Sequence, residues 1–138
     1  MTIPRLNELL SDFEILDDWE DRYKYVIELG NMLPELDEDD RTSENKVQGC
    51  ASQVWIKTDI TDGNLHFTGD SDALIVRGLI AILMSIYQDK PAKEIATIDA
   101  KETLEKLGLK EHLTSQRSNG LFSMVERIQR DANTYLAA

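Results

Sequence analysis

The chain has 138 residues, 41% of them apolar, which fits one compact domain over residues 1–138 with its own core. Its 26 acidic residues outnumber its 15 lysines and arginines, and the formal net charge of −11 disfavours binding to nucleic acid or to an anionic membrane. One cysteine excludes an intramolecular disulfide, and no signal peptide or spanning segment is evident, so we expect a soluble protein of the cytoplasm.

The first part of the sequence predicts two helices and an acidic loop. Residues 2–10 are expected to form a short helix, with Pro4 near its first turn. Apolar side chains at helical spacing predict a second helix over about 18–33, which Pro34 ends. The acidic run at 37–40 indicates a solvated loop, with a docking strip for a basic partner as the alternative.

Between residues 46 and 68 the apolar period changes to two. Residues Val54 to Ile60 alternate in this way, and Asp62-Gly63 is a strong signal for a hairpin turn to a second strand. A strand at 46–48 is expected to add a third member. The pattern therefore predicts a small three-stranded antiparallel sheet.

The stretch 73–87 is apolar nearly all round and predicts a central buried helix packed against the sheet. Just before it, Asp70 and Asp72 are interpreted as residues that cap its N-terminus. Further helices are expected after Pro91, over 100–107 and after Thr114. Helices, then strands, then helices predict an α+β fold.

Cys50 is the centre of the candidate chemistry. It follows Gly49 and precedes the alternating segment, so it is predicted to lie on a tight turn between strands. A lone cysteine is usually a small buried apolar residue. A glycine beside it permits the geometry of an exposed loop tip, from which a thiolate can reach a sulfur of another protein. From spacing alone, both interpretations stay open.

Other cysteine chemistries fit the sequence less well. A structural zinc site needs about four ligands, and Cys50, His66 and His112 show no ligand spacing, so no metal is expected. A cysteine hydrolase needs a histidine base, and the sequence does not show that either histidine reaches Cys50. A peroxide-reducing thiol stays open, although the chain has no resolving cysteine.

Arg117 is the second residue of interest. It lies where the last helix is predicted to begin, and a cation at that position opposes the helix dipole. This local cost suggests a tertiary partner, either a carboxylate or a polar site. The alternative is a solvent-exposed arginine.

Three motifs resemble those of the SufE sulfur-acceptor family. They are NKVQGCASQVW at 45–55, GDSDALIVRGL at 69–79, and LGLKEHLT with RSNGL at 107–114 and 117–121. They occur in the family's order with compatible spacing, and the likeness covers nearly the whole chain. The resemblance implies an α+β fold shared with iron–sulfur scaffold proteins of the IscU type.

The resemblance also implies a function in sulfur transfer. Cys50 matches the family's acceptor cysteine, which takes persulfide sulfur from a pyridoxal-phosphate cysteine desulfurase of the SufS or CsdA type, stimulates that enzyme and relays the sulfur to an iron–sulfur scaffold. No cofactor of its own is implied. The residues implied to position the loop or bind the partner are Gln48, Gly49, Ser52, Gln53, Asp70, Asp72 and Arg117.

Two further alternatives stay open at this point. The chain could be a regulatory activator that binds the desulfurase without carrying sulfur, or a thiol redox protein. Direct cluster scaffolding fits less well, because clusters need about four thiolate or equivalent ligands. The apolar neighbours Val47, Val54 and Trp55 suggest that Cys50 is turned inward at rest and that its loop opens on docking.

Overall fold

The computed structural model of the chain describes residues 3–49 and 52–137. The helices and strands in this part of the chain, in order, are α1 (Leu6–Ile15), α2 (Trp19–Gly30), a 3-10 helix (Glu38–Asp40), β1 (Val54–Thr61), β2 (Asn64–Ser71), α3 (Leu74–Tyr87), β3 (Lys90–Pro91), α4 (Ala92–Ile95), α5 (Ala100–Lys106), α6 (Leu109–His112) and α7 (Ser115–Ala137). The predicted α+β class is confirmed.

The sheet is antiparallel with the strand order β1-β2-β3. The predicted turn at Asp62-Gly63 joins β1 to β2, and both residues have positive φ, 54° and 82°. Such angles are those of the tight hairpin turns whose twist matches that of the strands. Thr61 therefore pairs with Asn64, and the alternation of β2 places Leu65 and Phe67 in the core.

The third strand is not the one predicted. Residues 46–48 were expected to form it, but Lys46 makes only an isolated bridge to Trp55. Residues 48 and 49 form a turn in which Gly49 has a φ of +87°, so the segment turns away before a ladder can form. The third strand is instead β3, which follows α3 and pairs with Asn64 and Leu65 of β2.

Helix α3 is the centre of the core, as its composition predicts. Eleven of its 14 residues are buried, and it packs against α2 and β2. The two helices approach closely at Gly78, where an added Cβ would lie 2.1 Å from the backbone oxygen of Val26. Only glycine allows this approach, because any side chain would force the helices apart.

The prediction that Asp70 and Asp72 cap α3 is wrong. The N-cap residue is Ala73, and no side chain accepts a capping hydrogen bond there. The Ala73 N–H donates to Ser71 Oγ at 3.2 Å instead. Both aspartates bind partners that are distant in sequence, and these contacts hold the segments on either side of the Cys50 loop.

Candidate functional site

The arm that leads into the Cys50 loop is held on β1. The Val47 N–H donates to the Val54 carbonyl at 2.9 Å, and the Ile56 N–H donates to the Asn45 carbonyl at 2.8 Å. Val47 is buried in the core, and Gln48 is exposed. These contacts fix the backbone up to Val47, three residues before Cys50.

Gly49 ends this arm against helix α7. Its φ of +87° is in the left-handed region, and a Cβ built on it would lie 2.7 Å from Ser123 Oγ. Glycine is needed here both for the backbone angle and for the close approach. Cys50 and Ala51, which follow, lie outside the described residues.

The arm that leaves the loop is held by Asp72. The Gln53 N–H donates to Asp72 Oδ1 at 3.1 Å, and the Asp72 N–H donates to the Gln53 carbonyl at 3.3 Å. The two residues thus bind each other reciprocally just before β1 begins. The structure brings together Gln53 and Asp72, two of the residues that the family resemblance implies.

Asp70 has a different set of partners. Its Oδ2 accepts from Arg41 Nη2 at 2.6 Å, and its Oδ1 lies 3.0 Å from Arg77 Nε in an ion pair. Oδ1 also accepts from the Ser71 N–H at 2.8 Å. The hydrogen bond to Asp70 raises the pKa of the Arg41 guanidinium above its ordinary value. Asp70 is therefore engaged within the protein, and its carboxylate neutralises part of the charge of two arginines.

Arg41 is a residue of the site that sequence reasoning missed. Its guanidinium lies 5.1 Å from the ring centroid of Trp55, which bridges to Lys46. It thereby joins the segment before the Cys50 loop to both β1 and β2, with a cation–π contact and a charged hydrogen bond. The one signal in the sequence is its place as the cation that closes the acidic run at 37–40.

Arg117 and Ser52 line a small pocket beside the loop. The other lining residues are mostly apolar, and they include Val54, Val76, Leu79, Gly120, Leu121 and Met124. Its cavity volume of about 20 Å³ is enough for one water molecule. Arg117 is half-buried, and none of the ion pairs among residues 3–49 and 52–137 includes it. The expected tertiary partner, either a carboxylate or a polar site, stays a prediction.

The described residues offer no alternative metal or hydrolase centre. His66 binds Asp89, with 2.8 Å between Nδ1 and Oδ1, and it pairs with Asp59 in the sheet. Asp59 is five residues from the start of β1 at Val54, roughly 16 Å along the strand from the Cys50 loop. No group of three histidine, cysteine or acidic residues in the described ranges is arranged to hold a metal ion. The side chain of His112 lies outside the description.

Comparison with known proteins gives consistent results. A family model described as "SufE: Fe-S metabolism associated domain" matches residues 7–132. An uncharacterized SufE-like protein of Rhizobium etli is 59% identical over 138 residues, with 96% of this chain and 93% of that protein covered. A second, from Rhizobium meliloti, is 57% identical over 137 residues, with 96% and 98% covered.

The fold is also found in a solved structure. The solution structure of a hypothetical protein from Thermus thermophilus superposes with a TM-score of 0.79 over 100% of both chains, at 19% identity. Within the part of the chain that the structure describes, no helix is both long enough and apolar enough to cross a membrane.

Proposed function

We propose, from the premise that this chain belongs to the SufE family, that Cys50 accepts sulfur as a persulfide and passes it on. The family is associated with iron–sulfur metabolism. The observation that carries the proposal is the anchoring of both arms of the loop around the single cysteine of the chain. Hydrogen bonds to β1 hold one arm and Asp72 holds the other, so the short segment that contains Cys50 begins and ends at fixed points.

The proposed transfer needs no outside oxidant or reductant. The Cys50 thiolate attacks the outer sulfur of a persulfide on the donor protein, a new S–S bond forms, and the old S–S bond breaks. The electron pair of the broken bond leaves with the thiolate of the donor cysteine. The donor is a pyridoxal-phosphate cysteine desulfurase of the SufS or CsdA type, which this transfer stimulates by freeing its cysteine. The receiver is an iron–sulfur scaffold in the cytoplasm.

The neighbouring residues position the loop. Asp72 Oδ1 accepts a hydrogen bond from the Gln53 N–H and so holds the arm that leaves the loop. Gly49 allows the arm that leads into the loop to lie against α7. Asp70 positions the loop indirectly, because it binds Arg41 and orients the guanidinium over the ring of Trp55. Arg117 and Ser52 line the same pocket, so the guanidinium is suited to stabilise an anionic thiolate or persulfide that enters it.

We infer in addition that the sulfur of Cys50 rests in this pocket in the free protein. Its apolar walls, Val54, Val76 and Leu79, would keep water and small thiols from a persulfide. The test is the alkylation rate of Cys50 with and without a desulfurase whose own reactive cysteine has been replaced. We expect the desulfurase to accelerate alkylation several-fold. Alkylation of the free protein as fast as a model thiol would contradict the shielding.

The central experiment is intact-protein mass spectrometry after incubation with a SufS-type desulfurase and cysteine. We expect the addition of about one sulfur atom, which a reductant removes. The control is Cys50→Ser, which should not be loaded and should lose at most about 1 kcal/mol of folding free energy. A sulfur adduct that persists in Cys50→Ser would refute the proposal. Full stimulation of the desulfurase by Cys50→Ser would support the regulatory activator instead.

A further inference from the structure

A groove with positive side chains adjoins the segment that leads into the Cys50 loop. It has a volume of about 350 Å³ and is lined by Lys46, Val47, Gln48, Ser123, Glu126, Arg127 and Arg130. Gln48 is two residues before Cys50, and Ser123 is the residue against which Gly49 packs. A partner that reaches Cys50 therefore comes close to this groove.

Three cations and one carboxylate line the groove, in a chain whose formal net charge is −11. Lys46 and Arg130 are exposed, and neither forms an ion pair with a carboxylate among the described residues. Their charges are thus available to a ligand. The groove is a local exception to the acidic surface, and such an exception attracts anions.

Arg127 lines the groove and is held by contacts to two other residues. Its Nε lies 3.0 Å from Asp131 Oδ2, and its Nη2 donates to the Ile56 carbonyl at 3.3 Å. Asp131 also accepts from Thr58 Oγ1 at 2.8 Å, so α7 and β1 are joined beneath the groove. The positions from which Lys46 and Arg130 project are therefore fixed before a partner arrives.

We propose that this groove, which we call the basic groove, binds an acidic segment on the sulfur donor beside the reactive cysteine of that donor. The proposal rests on the proposed function for the identity of the donor. An acidic protein segment fits better than a nucleic acid, because the net charge of the chain repels a phosphate backbone beyond the groove. Rim charges of this kind set the encounter rate and the register of docking, which here would align the two cysteines.

The test compares two double charge reversals. The groove variant combines Lys46→Glu with Arg130→Glu. The control variant combines Lys24→Glu with Lys93→Glu, at two exposed lysines outside the groove, and changes the net charge of the protein by the same amount. Affinity for a SufS-type desulfurase is measured calorimetrically in a Cys50→Ser background at low and high salt. We expect the groove variant to bind on the order of tenfold more weakly at low salt and the control less than twofold. At high salt, the affinities of the groove variant and the parent for the desulfurase should become nearly equal, because salt screens the charges.

The milder pair Lys46→Gln with Arg130→Gln should show an intermediate loss, and it replaces the reversal if that variant fails to fold. Equal affinities of the groove and control variants would overturn the inference. So would a groove variant that binds the desulfurase normally and is impaired only in passing sulfur to a scaffold. Loading of Cys50 is measured separately in the cysteine-containing protein. If binding depends on the groove charges but Cys50 is not loaded with sulfur, the proposed function is refuted and the inference about the basic groove is supported.

Discussion

Replacing Gly49 by alanine tests the anchoring of the Cys50 loop most directly. The substitution has two independent effects, because Gly49 has φ +87° and a new Cβ would lie 2.7 Å from Ser123 Oγ. A left-handed backbone costs an L-residue about 1–2 kcal/mol. Alanine also reduces the conformational entropy of the unfolded chain, which offsets about 0.4–1 kcal/mol of this loss.

The steric part adds about 1 kcal/mol, because the Ser123 hydroxyl must rotate or shift. The total loss for Gly49→Ala is then about 2 kcal/mol. For a chain of 138 residues this corresponds to a fall in Tm of roughly 7 °C. The second variant, Ser123→Ala, removes the hydroxyl, and the Ser123 Cβ at 3.6 Å makes an ordinary contact with the new methyl group.

A double-mutant cycle separates the two effects. Urea melts of the parent, both single variants and the double variant should give a coupling of about 1 kcal/mol, with the double variant recovering the steric part only. Hydrogen exchange at the Val47 amide, which donates to Val54, reports whether the arm has moved. A Gly49→Ala protein as stable as the parent would contradict the left-handed backbone, and zero coupling would contradict the contact with Ser123.

Three further predictions concern separate features. Gly78→Ala should destabilise the fold by at least about 3 kcal/mol in denaturant melts, because its Cβ would lie 2.1 Å from the Val26 oxygen; a near-neutral result would show that α2 and α3 are further apart. Asp72→Ala should lower the free energy of unfolding by about 1 kcal/mol and speed alkylation of the loop cysteine several-fold. The control Asp72→Asn keeps an oxygen that can accept from the Gln53 N–H. Equal stability and alkylation rate in the two variants would rule out that hydrogen bond as the cause. Burial raises the pKa of Tyr87 from 10.0 to about 12, so between these values the folded state binds more protons than the unfolded state, and stability should fall as pH rises. Tyr87→Phe should remove this part of the pH dependence in urea melts, and an unchanged profile would refute the assignment.

The features that were predicted correctly depend on neighbours in the chain. Asp62-Gly63 selects a tight hairpin turn, and the alternation of β1 and β2 then decides which side chains face the core. An apolar run as continuous as 73–87 has to be buried, and α3 is buried. The strand at 46–48 was predicted by the same reasoning, and this prediction is wrong. The third strand is β3, which follows α3 in the chain and pairs with β2.

The site residues show the limit of local reasoning more clearly. The aspartates before α3 have the positions of helix caps, and the tertiary structure gives them other partners. Asp70 binds Arg41, which is 29 residues away, and Asp72 binds the amide of Gln53, which is 19 residues away. For Asp70, a local cap loses this competition because a charged hydrogen bond to a guanidinium is stronger than one to a backbone amide.

The sequence by itself determined the α+β fold class, through the order of its helical and strand patterns, and the family and the candidate acceptor Cys50, through three ordered motifs. The tertiary structure alone decided that Gly49 meets Ser123, and that Lys46 and Arg130 line one groove beside the loop. The physical reason is distance along the chain. Turn chemistry and hydrophobic period act over a few residues, whereas Lys46 and Arg130 line one groove only after α7 has packed against β1.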